Sequence, residues 1–202
     1  MENLFLEISD HLLKDDIPSH YFKHICSEAR FYNYPLNMLC ELKKTEQSPK
    51  YHPEGSVWNH TMLVIDEAAK VRNKSKSPLV FMWAALLHDI GKPDTTRKRK
   101  GKITSYNHDK IGEELARKFL EKFTLNEEFI KEVTALIRWH MQILYVVKDL
   151  PYSDIKTMKE ETNLKEVALL SWCDRMGRID AQPKEEEKSI QLFLQKCNYR
   201  EI

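Results

Sequence analysis

Hydrophobic residues recur at steps of three and four along most of the chain, which is the spacing of amphipathic helices. Prolines, glycines and short polar stretches separate these segments. The polar stretches at 47–56 and 94–107 are expected to be loops, and Gly91 is expected to cap the helix that precedes it. The pattern therefore predicts an all-α chain, with helices at 2–14, 19–31, 35–45, 57–73, 77–90, 108–123, 127–146, 153–162, 164–179 and 184–198.

The composition agrees with a helical protein, because the 202 residues include only 5 glycines. Hydrophobic residues make up 42% of the chain and charged residues 31%, a balance that argues against disorder. The length suits a single domain. We expect residues 1–45 to form an N-terminal helical extension and residues 46–202 to form the main domain with a C-terminal helix.

Charge and cysteine content narrow the setting in which the protein works. The net charge of +1 gives no overall attraction to nucleic acid or to an anionic membrane. The four cysteines show no paired spacing, the first residues do not resemble a signal peptide, and no apolar run is long enough to span a membrane. These features favour a cytoplasmic protein without a membrane partner, and they leave its oligomeric state open.

Ionisable residues occupy positions where the hydrophobic stripes require buried side chains. His140, for example, continues the stripe of Val133 and Ile137 at steps of four and three. Any one such histidine is more simply explained as a hydrogen-bonded core residue. The same pattern recurs on several helices, at His60, His88, Asp89, His108, His140 and Asp174.

A divalent cation is the simplest compensation for burying these carboxylates beside imidazoles. His88 and Asp89 end a predicted helix, where the unpaired carbonyl groups also favour a cation. Mixed imidazole and carboxylate ligands suit Mn, Fe, Ni, Co or Zn better than Mg. The sequence therefore predicts a metal site inside a helical bundle.

The local strings around these residues resemble the HD superfamily of metal-dependent phosphohydrolases, whose ligands follow the pattern H…HD…D. More specifically, they resemble the HD domain attached to bacterial CCA-adding tRNA nucleotidyltransferases. The resemblance covers roughly residues 50–180 and contains no nucleotidyltransferase head. The strings are EGSVWNHT (54–61), ALLHDIGKP (85–93), GKITSYNHDKIGEELA (101–116), LIRWHM (136–141) and LLSWCDRMGRID (169–180).

The resemblance implies an HD helical bundle that hydrolyses a phosphoester and does not add CCA. The implied substrates are a nucleotide or phosphorylated small molecule, including a nucleoside monophosphate, a 2′,3′-cyclic nucleotide or an RNA end. It implies that one metal is held by four ligands, namely His60, His88, Asp89 and Asp174. His108 and His140 match positions that ligate a second metal with Asp89 bridging; with one metal they would hold substrate phosphate or water.

Three cations near the predicted ligands are candidates for binding phosphate. Lys92 follows Asp89 by three residues. If it does not bind phosphate, it is an exposed lysine that stabilises the end of the helix. Arg178 lies one helical turn after Asp174 on the same face, whereas Arg175 points about 100° away. For both arginines an ordinary surface salt bridge is the alternative.

Two further features of the sequence have a functional and an ordinary interpretation. The basic stretch Arg97–Lys102 either steers a phosphate-bearing substrate or is a solvated loop. Tyr106 either stacks on a base or packs in a loop, and Asp109 is expected to be a solvated acid of a helix first turn. The rival to an enzyme is a non-catalytic, metal-containing module that binds RNA or a protein.

Overall fold

The computed structural model describes residues 2–198, and within that range it contains twelve α-helices and one two-stranded sheet. The helices are α1 Glu2–Lys14, α2 Ser19–Ile25, α3 Asn37–Lys44, α4 Val57–Val71, α5 Pro78–Leu87, α6 Lys92–Thr95, α7 His108–Leu120, α8 Glu127–Trp139, α9 Gln142–Val147, α10 Ile155–Glu161, α11 Leu164–Met176 and α12 Pro183–Lys196. Short 3-10 turns occupy Ala29–Tyr32 and Arg72–Lys74. The all-helical class predicted from the periodicity is confirmed. No helix between residues 2 and 198 combines the length and apolarity needed to cross a membrane.

Helix α5 lies at the centre of the bundle because it is apolar on every side. Its residues from Val80 to Leu87 are all buried, and it packs against α4, α8, α1 and α11. Full burial of each large aliphatic or aromatic side chain contributes about 1.5–3 kcal/mol. The indole of Trp83 donates a hydrogen bond to Ser9 Oγ at 3.0 Å, which ties α5 to α1.

The N-terminal helices share this core rather than forming one of their own. Ile8, Leu12, Phe22 and Leu39 are fully buried in the same hydrophobic cluster as α5. We propose that residues 1–45 are an N-terminal extension that packs onto the bundle. Residues 1 and 199–202, which the predicted domain limits include, lie outside the described residues.

The stretch predicted as a polar loop at 94–107 instead contains α6 and a β-hairpin. Strand β1 (Thr96–Arg99) pairs antiparallel with β2 (Lys102–Ser105), and Arg99 lies opposite Lys102. The two-residue turn needs left-handed backbone at Lys100 (φ 48°) and Gly101 (φ 75°), and glycine supplies the second at no steric cost. The strands are only four residues long and do not alternate apolar with polar residues, which explains why the sequence pattern missed them.

The predicted helix at 127–146 is divided at His140. The carbonyl oxygen of His140 accepts a hydrogen bond from Ser171 Oγ at 2.9 Å, while the Leu144 amide donates to Met141 instead. A contact from another helix therefore ends α8, and no local signal such as proline marks the break. The predicted cap Asn126 is confirmed, because its side chain accepts from the Phe129 amide at 3.0 Å.

Gly91 does not have the left-handed conformation predicted for a helix cap. Its φ is −81°, and α6 begins at the next residue. Space, rather than backbone conformation, requires glycine here, since a Cβ would meet the backbone of α7 at 2.2 Å.

Candidate metal centre

Five segments that are distant in sequence place histidines and aspartates together inside the bundle. His60 comes from the first turn of α4, His108 is the first residue of α7 and Asp174 lies near the end of α11. His88 and Asp89 follow α5, and His140 follows α8. None of the six side chains belongs to a residue more than 8% exposed.

The potential ligand atoms form two groups. In one, His60, His88 and Asp174 bring their nitrogen and oxygen atoms within 4.8 Å of one another. The second group, at the same spacing, comprises Asp89, His108 and His140. His88 and Asp89 are neighbours in sequence, and His88 Nε2 is 3.2 Å from Asp89 Oδ2, so the two groups adjoin.

Three imidazoles are held in one tautomer by backbone carbonyl groups. Nδ1 of His88 is 2.9 Å from the carbonyl oxygen of Ala85, and Nδ1 of His108 is 2.7 Å from that of Ser105. Nδ1 of His140 is 2.6 Å from the carbonyl oxygen of Ile137. A carbonyl oxygen only accepts, so each Nδ1 carries a proton and Nε2 is the ring nitrogen left to bind a ligand at the centre.

Glu54 orients the fourth imidazole, and sequence reasoning did not single it out. Its Oε1 lies 2.9 Å from His60 Nδ1 and 2.9 Å from His52 Nδ1. His60 Nε2 then faces Asp174 Oδ1 at 2.8 Å. Burial would lower the pKa of His60, but the hydrogen bonds to Asp174 and Glu54 outweigh it and raise the pKa. Glu54 opens the EGSVWNHT string, but it precedes α4, where helical periodicity gives no information.

The donor set fits a divalent cation. Nε2 of His108 and Nε2 of His140 lie 3.3 Å apart, two lone pairs that repel unless a positive charge lies between them. His88 Nε2 is buried and makes no hydrogen bond among the described residues. Histidine ligands whose second nitrogen binds a carbonyl or carboxylate are the usual arrangement around transition metals.

Positive charge keeps both aspartates ionised. Burial would raise the pKa of Asp89, but His88 and Lys92 outweigh it and hold that pKa well below its ordinary value. Burial likewise opposes ionisation of Asp174, yet the hydrogen bond from His60 and the charge of Arg178 keep its pKa well below the ordinary value. The centre therefore offers anionic carboxylate oxygens, and burial lowers the pKa of His108 and of His140, which favours their neutral forms.

The cation candidates differ in their surroundings. Lys92 is not an exposed lysine: its Nζ lies 2.7 Å from Asp89 Oδ2 and donates to Gln47 Oε1 at 2.6 Å. Arg178 lines the same cavity as Asp89, and its Nε is buried without a hydrogen-bond partner among the described residues.

Arg175 lies elsewhere and does not line this cavity. Arg175 pairs with Glu186 of α12 at 2.5 Å. This contact agrees with the alternative that Arg175 forms a salt bridge and not with the prediction that it binds substrate. Asp109 also departs from its prediction as a solvated acid. It is 3% exposed and accepts a hydrogen bond from Arg138 at 2.9 Å.

Four of the six metal-ligand candidates line a cavity of about 1020 Å³, and His60 and His88 do not. Asp89, Lys92, His108, His140 and Asp174 all line it. Residues 103–106, from β2 and the turn after it, form part of its wall, while the basic tip of the hairpin is exposed to solvent. The prediction that Tyr106 packs within a loop was wrong, because the residue is 77% exposed and lines the cavity.

An all-helical bundle with buried histidines and aspartates beside an open cavity is typical of a helical protein with a metal-binding site. The family model described as HD domain matches residues 57–179. The chain belongs to the HD domain family, a superfamily of metal-dependent phosphohydrolases.

Curated relatives match the HD region of the chain. The "Multifunctional CCA protein" of Aromatoleum aromaticum is 37% identical over 86 residues, or 41% of this chain and 19% of the relative. That of Alkalilimnicola ehrlichii is 28% identical over 141 residues, or 70% of this chain and 32% of the relative. The "A-adding tRNA nucleotidyltransferase" of Deinococcus radiodurans is 37% identical over 65 residues, or 31% of this chain and 15% of the relative.

The matched region amounts to at most about a third of these relatives' length. The resemblance to the HD domain of CCA-adding enzymes is confirmed.

Proposed function

We propose that this protein is a metal-dependent phosphohydrolase that cleaves a phosphomonoester or phosphodiester with water. The products are an alcohol and a phosphate, so one P–O bond forms to water as the P–O bond to the leaving group breaks. The observation that carries the proposal is the pair of adjoining His/Asp groups beside the cavity, in which backbone carbonyl groups bind Nδ1 of His88, His108 and His140. The substrate classes are a nucleotide, a 2′,3′-cyclic nucleotide and an RNA end.

His60, His88, Asp89 and Asp174 would hold one divalent ion, and His108 and His140 would hold a second with Asp89 between the two. Mn, Fe, Ni, Co or Zn suit these ligands better than Mg. Such an ion, when bound, lowers the pKa of a bound water and offsets charge on phosphoryl oxygens.

The protein's own cations bind the phosphoryl group in this proposal. Lys92 is held in place by Asp89 and Gln47, so its ammonium is already oriented beside the ligand cluster. Arg178 has no side-chain hydrogen bond among the described residues, which leaves its guanidinium free to clamp a phosphate. We also propose a cytoplasmic location, because Cys26, Cys40, Cys173 and Cys197 are all free thiols.

A metal-reconstitution assay tests the proposal. The purified protein is stripped with a chelator, reloaded with Mn, Ni, Co, Zn or Mg, and offered nucleoside monophosphates, 2′,3′-cyclic nucleotides and p-nitrophenyl phosphate. Turnover is expected to require metal and to disappear in His88→Ala and Asp174→Ala. The exposed His20→Ala variant is the matched control and keeps full turnover.

Elemental analysis of the protein as isolated gives the identity and number of the ions. Bound metal without turnover in any combination would overturn the enzyme and favour a non-catalytic, metal-containing module that binds RNA or a protein.

A further inference from the structure

Three strongly exposed tyrosines line the cavity that contains the ligand cluster. Tyr51 is 56% exposed, Tyr106 is 77% exposed and Tyr152 is 68% exposed. Burying an aromatic ring is favourable, so three rings left in solvent around one cavity need an explanation. No hydrogen bond or ring contact of the Tyr106 side chain among residues 2–198 accounts for its position.

Each of these tyrosines is on a turn anchored beside a candidate ligand. Tyr106 directly follows Ser105, whose carbonyl accepts the Nδ1 proton of His108. Asn107, with a left-handed φ of 61°, completes the turn between Tyr106 and that histidine. The turn that orients a ligand therefore also sets where the Tyr106 side chain leaves the backbone.

The other two tyrosines lie on turns whose backbone or neighbouring residues make defined contacts. The Tyr152 carbonyl accepts from Gln142 Nε2 at 3.3 Å, and Gln142 lies two residues after His140. The Tyr152 ring lies 5.6 Å from that of Tyr145, at an angle of 63°. Tyr51 precedes His52, whose Nδ1 bonds to Glu54.

The cavity has the size for a nucleoside phosphate or a longer strand, and exposed basic residues lie on the hairpin beside it. Its volume of about 1020 Å³ is at the upper end of the range for small-ligand sites, about 300–1,000 Å³. The hairpin that supplies Ile103 to Ser105 to the wall continues into the exposed basic residues Arg97–Lys100. Aromatic rings beside a positively charged track are typical of sites that bind single-stranded nucleic acid.

We propose that Tyr51, Tyr106 and Tyr152 form a subsite that stacks on the nucleobases of the substrate. This proposal rests on the proposed function and specifies its substrate class, a nucleobase joined through ribose to the phosphate at the ligand cluster. Stacking on a ring contributes about 1–3 kcal/mol per base and tolerates every base. The subsite therefore selects nucleosides over simple phosphates without reading sequence.

The test compares substrates that differ only in the base. Nucleoside 5′-monophosphates are paired with ribose 5-phosphate, and a short oligoribonucleotide with a 2′,3′-cyclic end is a separate arm that distinguishes RNA ends from mononucleotides. Both kcat/KM and the dissociation constant, measured by equilibrium dialysis with metal present and absent, are determined for each ligand.

The variants are Tyr106→Ala and Tyr152→Ala, with Tyr106→Trp and Tyr152→Phe as ring-retaining partners. Tyr32→Ala is the matched control, because Tyr32 is 62% exposed but does not line the cavity. Each alanine variant is expected to weaken nucleotide binding about 5- to 150-fold, and the ring-retaining variants are expected to restore it. The ratio of kcat/KM for nucleotide over ribose 5-phosphate should fall by the same factor.

Equal affinity of the parent protein for nucleotide and ribose 5-phosphate would overturn the base subsite, as would alanine variants that behave like Tyr32→Ala. If metal-dependent turnover persists in that case, the hydrolase proposal stands without the subsite. Conversely, tyrosine-dependent nucleotide binding without any turnover supports the subsite and overturns the hydrolase proposal.

Discussion

Gly91 and Gly112 pack backbone against backbone, so closely that a Cβ on Gly91 would lie 2.6 Å from the Gly112 amide nitrogen. The same Cβ would lie 2.2 Å from the carbonyl oxygen of His108. The contact sets the distance between the His88–Asp89 segment and the start of α7. It therefore positions one ligand group against another without touching either ligand side chain.

Gly91→Ala should consequently lower the free energy of unfolding and weaken metal binding together. Forcing α7 away costs about 3 kcal/mol, the upper part of the range for overpacking. Urea unfolding and a metal titration measure the two effects. Gly101→Ala is the control: no atom lies within 4 Å of its Cβ position, so only left-handed strain of about 1 kcal/mol is expected, with unchanged metal affinity. Equal metal affinity in both variants would contradict this.

Lys92→Met should destabilise the metal-free protein and make it more dependent on metal. The substitution leaves the Asp89 carboxylate buried without its cation at 2.7 Å, a loss of about 3–5 kcal/mol. Thermal unfolding in chelator and in Mn²⁺ should show a larger metal-induced rise in Tm than in the parent. Lys98→Met is the matched control, because its exposed pair with Glu46 contributes about 1 kcal/mol at most. A smaller metal effect in Lys92→Met than in the parent would refute the prediction.

Arg178→Gln should reduce kcat/KM about 10- to 150-fold, the contribution of a hydrogen bond to a charged group. The loss should be largest for substrates with a dianionic phosphate, since a guanidinium clamps two oxygens. Arg175→Gln provides the comparison from the same helix. It breaks the pair with Glu186 and should lower Tm slightly while leaving kcat/KM near that of the parent. Steady-state kinetics on both variants decide which arginine contacts phosphate.

The stability of the metal-free protein should fall as pH decreases from about 6.5 to about 4. Burial lowers the pKa of His108 to about 4, against 6.5 for an unperturbed histidine. Between these values the unfolded chain binds a proton that the folded chain does not, so acid favours unfolding by up to about 3 kcal/mol. Above pH 6.5, His108 is unprotonated in both the folded and the unfolded chain, so it adds no pH dependence to the free energy of unfolding.

Urea unfolding in chelator at pH 7.5, 6.5, 5.5 and 4.5 checks the dependence on pH. Comparison with His108→Asn isolates the contribution of His108, because the other titrating groups are common to both proteins. Identical pH dependence in the two proteins would show that His108 does not supply it.

Neutralising the hairpin residues Arg97–Lys100 to glutamine should raise KM and flatten its dependence on salt, with little change in kcat. Long-range attraction of a phosphate is screened by salt, so KM of the parent should rise with KCl more steeply than KM of the variant. A control replaces Lys118, Lys131, Lys184 and Lys188, which are exposed but outside the cavity. If KM rises equally with KCl in the parent and in the hairpin variant, the basic residues do not steer the substrate.

The sequence by itself determined the helical class and the six residues that meet at the centre, since both depend on local periodicity. An ionisable side chain on a hydrophobic stripe faces the core wherever the neighbouring helix lies. The same reasoning identified Asn126 as a cap, because capping involves residues three apart in the chain.

Only the tertiary structure decided which polar groups meet across the bundle. It divided the ligand candidates into two groups, placed Glu54 behind His60, buried Asp109 against Arg138 and directed Arg175 to α12. It also divided the predicted helix at His140 through a hydroxyl from α11. Such pairings depend on the packing of helices far apart in sequence, and periodicity gives the direction of a side chain but not its partner.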